Sequence, residues 1–314
     1  MEPRFCSICN NSENNSIFVV REMMFGYHDE FEYFKCSRCG CLQIKSIPEN
    51  LSRYYPENYY SFSSIIRDDG VLRKLKDLIK VQIIKSRIGR NTITGKILSP
   101  FYKKFYWIFK GLCDYNSKIL DIGCGNGSLL LELDNLGFKR LKGIDPFISK
   151  DIFYNNGIAV LKKQISELDE KFDFIMLHHS FEHMPDPGKI LQNIAACMTE
   201  DAWLLIRIPV ASGFAFRKYG INWVQLDAPR HLFLHTPRSI NILAEQTNLK
   251  IIKTIYDSTS FQFTGSIKYE NNYTGSQVYE FSAKELRYFE GEANHLNNIQ
   301  DGDSACFYLQ KNKS

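Results

Sequence analysis

Three short groups of residues have the types and the spacing that ligand binding or catalysis requires. The first lies in residues 119–131, where a hydrophobic run ends in an acidic residue, Asp121. Three glycines two residues apart follow it: Gly123, Gly125 and Gly127. Glycines let the main chain pass close to a ligand, because no side chain stands in the way. The third glycine arrives one residue earlier than in the Gly-x-Gly-x-x-Gly loop of NAD-binding proteins, so the stretch favours a different nucleotide.

The second group is a pair of Cys-x-x-Cys motifs near the amino terminus, formed by Cys6, Cys9, Cys36 and Cys39. Four thiolates in two pairs are the ligand set of a closed structural zinc site, whereas a redox dithiol needs only one pair. A fully coordinated zinc ion has no open position. We therefore expect a structural Zn²⁺ that folds a small module and takes no part in catalysis.

The third group consists of histidines with charged neighbours. Histidine changes protonation near neutral pH, which suits a general base. We predict that His231 is the base, that Asp227 and Arg230 orient it or the substrate, and that His179 faces the substrate. The structural alternative is that Asp227 and Arg230 form an ion pair while His231 caps the next helix.

The glycine loop and two later segments resemble the class I S-adenosylmethionine-dependent methyltransferases over about residues 113–255. The first motif of that family is an acidic residue followed by Gly-x-Gly-x-Gly. Its second acidic residue maps onto Asp145, which lies 20 positions after Gly125. A third segment has a strand that leads to Glu182 and His183 and then to proline and aspartate. The resemblance implies S-adenosyl-L-methionine as cofactor and methyl transfer as reaction.

The same resemblance implies where the cofactor binds. The glycine loop would wrap its methionine part, and Asp145 would hold its ribose hydroxyls. Gln164 and Ile165 would flank the adenine, at a place where the family usually has aspartate. His178, at a strand end, has simple packing as its alternative. The complete implied set is Asp121, Gly123, Cys124, Gly125, Gly127, Asp145, Pro146, Gln164, Ile165 and His178.

The fold class follows from the order of the hydrophobic segments. Short apolar runs alternate with helical ones after Gly111, which predicts an α/β protein with a mostly parallel sheet covered on both faces. The resemblance implies a Rossmann-like fold with a seven-stranded sheet, preceded by a zinc ribbon. We predict a zinc-ribbon module at 1–47, an aromatic and basic helical connector at 48–112, and a Rossmann-like methyltransferase domain at 113–314.

The connector carries most of the excess positive charge. Residues 67–110 contain twelve Lys or Arg and three Asp, although the whole chain has a formal net charge of only +4. Aromatic residues stand beside lysines there: Phe101, Tyr102, Lys103, Lys104, Phe105, Tyr106, Trp107, Phe109 and Lys110. This surface could stack nucleobases, lie on an anionic membrane, or simply cover the sheet with its apolar stripe.

The segment from Asp227 to His235 resembles bacterial methyltransferases that act on small molecules and surface glycans. It favours O- or C-methylation of a small molecule, a sugar or a surface-glycan precursor. The alternative is an RNA base methyltransferase that holds RNA with the zinc module and the basic helix. The sequence names neither the acceptor atom nor the oligomeric state.

The compartment is predicted from cysteine usage and from the apolar runs. Nine cysteines are an odd number, and four of them form two tight pairs, which argues against a disulfide framework. We expect neither a leader nor a transmembrane segment, because the amino terminus shows no apolar h-region and the longest apolar stretches are interrupted by charge, glycine or proline. These features predict a cytoplasmic protein, for which peripheral membrane contact remains open.

Overall fold

Alternating apolar and polar segments become twelve strands and eight α-helices in the part of the chain that the structure, a computed structural model, describes. That part comprises residues 5–55, 71–90, 92–102 and 104–313, with only the main chain at 71–76 and at Phe101. The strands are β1 Ser16–Arg21, β2 Glu30–Lys35, β3 Leu42–Ile44, β4 Ile119–Ile122, β5 Leu141–Ile144, β6 Ile152–Phe153, β7 Ala159–Leu161, β8 Phe172–His178, β9 Met198–Pro209, β10 Phe233–Leu234, β11 Leu249–Tyr256 and β12 Ser304–Lys311. The helices are α1 Val71–Arg87, α2 Ile93–Leu98, α3 Ser128–Asn135, α4 Pro187–Cys197, α5 Phe214–Tyr219, α6 Pro237–Gln246, α7 Phe261–Glu270 and α8 Ala283–Asn298.

The residues group into two units by their contacts. The first unit contains Met1–Pro56, His179–Gln192 and Ile206–Ser314, and the second contains Glu57–His178 and Asn193–Leu205. Each unit is therefore built from separate stretches of sequence. The domain boundaries predicted after residues 47 and 112 therefore remain predictions.

The second unit contains the glycine loop and the parallel strands around it. Its strand order is β9-β8-β4-β5-β7-β6. Strand β4 is parallel to both β5 and β8, and β5 is parallel to β7. All four residues of β4 are buried, as expected for a central strand covered on both faces. This arrangement confirms the predicted α/β class with a mostly parallel sheet.

The number of strands differs from the expected seven. Eight of the described strands belong to this sheet. The order is β11-β12-β9 in the first unit and β9-β8-β4-β5-β7-β6 in the second, because the residues of β9 are divided between the units. The additional strand is β6, which pairs antiparallel with β7. It has two residues, too few for an alternating pattern to reveal it in the sequence.

The first unit contains the cysteine-rich segment and the carboxyl-terminal strands. Strands β1, β2 and β3 form an antiparallel sheet whose fourth member is β10, a strand near residue 234. Tyr33, Leu42 and Trp223 lie in one buried cluster of this unit. The cysteine-rich segment thus shares its sheet and its core with residues far along the chain.

Helix α1 and the aromatic segment after it belong to the second unit. Ile83 and Ile84 of α1 are buried, as its apolar stripe predicted. Phe105 and Trp107 are also buried, and Trp107 stacks on Phe174 of β8 with ring centres 6.0 Å apart. These aromatic rings cover the sheet. They are therefore not available for the stacking on nucleobases that the sequence had suggested.

Some of the connector predictions fall outside the described residues. Lys103 and residues 56–70 of the connector are among them, as is the side chain of Phe101. No helix within the described ranges combines the length and the apolar character needed to cross a bilayer.

Candidate functional site

The glycine loop joins β4 to α3 in the second unit. Gly123, Gly125 and Gly127 have φ angles of +72°, +55° and +79°, which is the left-handed region that L-residues avoid. A Cβ on Gly127 would also lie 2.6 Å from Cγ2 of Val160. The loop therefore requires glycine for its backbone conformation, and at Gly127 for space as well.

Asp145 lies at the end of β5 and fixes this loop. Its Oδ2 accepts a hydrogen bond from the backbone N–H of Gly125 at 2.9 Å, and its Oδ1 accepts one from Phe147 at 2.9 Å. Each carboxylate oxygen has a second lone pair, so the group can still accept hydrogen bonds from two hydroxyls. This geometry fits the ribose-binding role that the resemblance implied for Asp145.

A second buried carboxylate lies at the end of β4. Asp121 is 3% exposed, and burial, followed by the negative charge of Asp145, raises its pKa well above the usual value. A cationic ligand would relieve both effects, and the methionine part of the implied cofactor carries an ammonium group. The residues of the loop thus fit S-adenosyl-L-methionine.

The other implied cofactor residues lie at the carboxyl ends of the same strands. Gln164 is exposed and forms a capping box with Glu167, and Ile165 beside it is buried. Cys124 and Pro146 are half-buried. The ring of His178 lies 4.9 Å from that of Trp107, which agrees with the packing alternative for this histidine.

The first unit contains a histidine cluster, which consists of His179, His183 and His231 around Glu182. His179 is its first member. Its φ is +51°, a conformation that is strained for a non-glycine residue and often found at functional sites. Its side chain is 35% exposed, and its Nδ1 lies 3.6 Å from Oε1 of Glu182. His179 is thus an accessible histidine backed by a carboxylate.

His179 also lines a cavity of about 300 Å³. The other lining residues are mostly polar: Arg207, Gln225, Asp257, Ser258, Thr259, Phe261, Gln262, Asp303 and Ser304. Gln262 is 1% exposed, and neither its amide nitrogen nor its amide oxygen has a hydrogen-bond partner among the described residues. Burial raises the pKa of Asp303 to about 6, although Trp223 Nε1 donates to its Oδ2 at 2.9 Å.

The sequence analysis missed this cavity. Gln262 and Asp303 belong to no motif, and they follow Arg207 by tens of residues. Only the arrangement of β9, α7 and β12 brings them together. No signal in the sequence distinguishes them from ordinary surface residues.

Glu182 occupies the centre of the histidine cluster. It is 1% exposed, and neither carboxylate oxygen accepts a hydrogen bond from a described residue. His231 Nε2 lies 3.9 Å from Oε1. Burial raises the pKa of Glu182, but His179, His183 and His231 outweigh it and keep that pKa below its usual range.

Arg230 forms buried ion pairs with two carboxylates. Its guanidinium contacts both oxygens of Asp227, at 2.9 and 2.5 Å, and Glu22 at 3.1 Å, and its side chain is fully buried. It also donates to the carbonyl of Tyr54 at 3.2 Å. This arrangement agrees with the structural alternative for Asp227 and Arg230, and their orienting role stays a prediction.

His231 is placed differently from His179. It is 6% exposed, does not line the cavity, and has its Nδ1 2.7 Å from the carbonyl oxygen of Gln225. Burial, followed by the charge of His183, lowers its pKa to about 4. Its role as the base likewise stays a prediction.

The four paired cysteines converge as expected. Cys6 Sγ lies 3.5 Å from Cys39 Sγ, Cys9 Sγ lies 3.5 Å from Cys36 Sγ, and all four side chains are buried. Tetrahedral zinc with bonds of about 2.3 Å needs sulfur atoms just under 4 Å apart, so the cluster is compatible with zinc. Cys41 is not in this cluster, because its Sγ lies 3.9 Å from Nδ1 of His235.

Comparison with known families decides which kind of protein this is. The family described as "Methyltransferase domain" matches residues 98–254, which is half of the chain. The chain belongs to the methyltransferase family. Membership of this family agrees with the glycine loop and with Asp145, whose geometry fits S-adenosyl-L-methionine.

Named relatives match the central part of the methyltransferase. It is 31% identical over 107 residues to a ubiquinone biosynthesis O-methyltransferase of Glaesserella parasuis, covering 29% of this chain and 45% of that protein. It is 31% identical over 91 residues to a tRNA U34 carboxymethyltransferase of Campylobacter hominis, covering 26% of this chain and 32% of that protein. The chain thus spans less than half the length of these curated relatives.

A solved structure of a SAM-dependent methyltransferase from Archaeoglobus fulgidus is also similar. It has 17% sequence identity and a TM-score of 0.40, and the match covers 77% of this chain and all of that one.

Proposed function

We propose that this methyltransferase methylates an oxygen or carbon atom of a small hydroxyl-bearing acceptor, such as a sugar or a surface-glycan precursor. The observation that carries the proposal is the polar cavity that His179 lines. The unpartnered amide of Gln262 offers one donor and one acceptor there, which a hydroxyl group of a ligand satisfies. Buried amides without partners are costly, so a polar ligand is expected.

We propose His179 as the proton acceptor in place of His231. His179 is accessible from the cavity and is oriented by Glu182, whereas His231 is buried and has its Nδ1 engaged by a main-chain carbonyl. S-adenosyl-L-methionine, when bound, supplies the methyl group and a neutral thioether leaving group. Formation of the bond between the acceptor atom and the methyl carbon would leave the electron pair of the broken carbon–sulfur bond on that thioether. His179 takes the proton of the acceptor.

The cofactor residues have defined tasks in this proposal. The loop at Gly123, Gly125 and Gly127 holds the methionine part, Asp121 faces its ammonium group, and Asp145 accepts the ribose hydroxyls. Methyl transfer needs alignment of the reacting atoms and exclusion of water more than it needs strong acid–base catalysis. Loss of the base should therefore slow the reaction without abolishing cofactor binding.

The test uses isotopically labelled cofactor with three separate acceptor pools: nucleotide sugars, glycolipids and RNA. We expect label in one of the first two pools. A His179→Asn variant should lower kcat about 100-fold with that acceptor, the usual contribution of a general base, while the exposed His295→Asn change leaves it unaltered. Label in RNA alone, or full activity of the His179 variant, would overturn the proposal.

RNA is the second candidate acceptor, supported by the relative named as a tRNA U34 carboxymethyltransferase. The burial of Phe105 and Trp107 removes two of the aromatic rings that base stacking would use. A salt series distinguishes the candidates, because binding to phosphates weakens steeply as salt rises. A flat response of RNA affinity to salt would exclude the connector as an RNA-binding surface.

We also propose that Cys6, Cys9, Cys36 and Cys39 hold a structural zinc ion. None of the nine cysteines, all within the described residues, forms a disulfide. This state is typical of a reducing compartment and supports a cytoplasmic location.

A further inference from the structure

Three side chains of the first unit bring one potential ligand atom each close together. They are Glu182, His183 and His231, and these atoms all lie within 4.8 Å of one another. Glu182 and His183 belong to a 3-10 turn after β8, and His231 lies just before β10. The cluster is separate from the four cysteines.

Both histidines are held in the tautomer that metal binding needs. His231 Nδ1 lies 2.7 Å from the carbonyl oxygen of Gln225, and His183 Nδ1 lies 2.9 Å from that of Arg230. A carbonyl oxygen only accepts hydrogen bonds, so each Nδ1 carries the hydrogen and each neutral ring presents a lone pair at Nε2. Histidines that bind metals usually donate their other ring nitrogen in this way.

Glu182 supplies the negative charge. Both of its oxygens are buried without a hydrogen-bond partner among the described residues. A buried carboxylate in that state is costly unless a cation compensates it. The guanidinium of Arg230 is already paired with Asp227 and Glu22, and that of Arg207 with Asp257.

We propose that Glu182, His183 and His231 bind one divalent first-row transition-metal ion. Two imidazole nitrogens and one carboxylate oxygen form a ligand set that zinc, iron and manganese accept. Nε2 of His231 and Oε1 of Glu182 lie 3.9 Å apart, so this pair needs to close by less than 1 Å around an ion. Three protein ligands leave at least one coordination position for water or for an oxygen atom of a ligand. His183 is half-buried and leaves a route for the ion.

The test measures metal binding alone, so its outcome is independent of the proposed function. The full-length protein, saturated with zinc at the cysteines, is titrated with Mn²⁺ by calorimetry without cofactor or acceptor. Mn²⁺ prefers oxygen and nitrogen ligands over thiolates, which keeps the cysteine cluster out of the signal. We expect one site in the wild type and in His295→Asn, and at least tenfold weaker binding in Glu182→Gln and His183→Asn.

A spectroscopic measurement on the wild type guards against variants that fail to fold. Mn²⁺ bound as proposed should show hyperfine coupling to the nitrogen atoms of two imidazoles in electron spin-echo spectra. The proposal is overturned if Mn²⁺, Co²⁺ and Zn²⁺ all fail to bind beyond the zinc at the cysteines. It is equally overturned if the folded variants bind as the wild type does, or if no imidazole coupling is present.

Discussion

At the scale of single residues, Asp145 has two tasks. It accepts backbone N–H groups from the glycine loop and from Phe147, and it retains lone pairs for a ligand. The second task was implied by the family resemblance, with which the spacing of 20 residues after Gly125 agreed. The first is visible only in the structure, where the carboxylate fixes the backbone of the loop.

Replacing Asp145 with asparagine should therefore weaken cofactor binding. The amide keeps one acceptor oxygen but loses the charge, and a hydrogen bond to a charged group contributes about 1.5 to 3 kcal/mol. We expect the Kd for S-adenosyl-L-methionine, measured by calorimetry, to rise at least tenfold. Asp169→Asn, at an exposed position near β8, is the matched control. Equal affinities for the two variants would contradict the assignment of Asp145.

At the scale of elements, the junction of β10 and α6 contains a buried histidine that lies between aromatic rings. His235 is fully buried there, with its ring stacked against Phe181 at 5.1 Å and Phe233 at 5.9 Å. Burial lowers its pKa to about 4. Helix α6 then begins with Thr236 as N-cap and Pro237 as its first residue.

The junction predicts a loss of stability in acid. The unfolded chain binds a proton at His235 near pH 6.5, whereas the folded chain does so only near pH 4, so between these values the unfolded state binds more protons. The contribution of the neutral His235 ring to the free energy of unfolding is complete above pH 6.5. It falls as the pH drops towards 4, by about 3 kcal/mol in all. Urea unfolding at pH 7 and pH 4.5 should show a smaller decrease for His235→Gln than for the wild type. An identical decrease in both proteins would show that His235 is not responsible.

At the scale of the whole molecule, the cysteine-rich segment is part of a larger unit. Strand β3 pairs with β10, and Tyr33 donates to the carbonyl of His231 at 2.8 Å. Glu22 from the same segment pairs with the buried Arg230. These contacts join the first fifty residues to segments near residue 230.

Deletion of residues 1–47 should consequently unfold the first unit. Val20, Tyr33 and Leu42 would leave its core, and each large side chain lost from a core costs about 2 to 5 kcal/mol. Their sum approaches the whole stability of a typical protein, about 5 to 15 kcal/mol. We expect the fragment 48–314 to be insoluble or to lose its cooperative thermal transition, and the fragment 1–47 added in trans to restore part of it. A deletion variant that melts like the full chain would support the independent module predicted from the sequence.

The sequence by itself determined the local features. Glycines two apart and paired cysteines are patterns within a few positions, so spacing was sufficient to find the loop and the four-cysteine cluster, whereas Asp145 was assigned through the family resemblance. The strands and helices followed for the same reason, since hydrophobic period is a local property.

Only the tertiary structure decided what lies around the histidines. Gln262 and Asp303 reach the cavity of His179 from distant elements, and Glu22 pairs with Arg230 across more than two hundred residues. Whether a histidine is accessible or buried depends on which strands and helices cover it. No pattern of neighbouring residues encodes that, because burial is the result of packing between segments that are far apart in the chain.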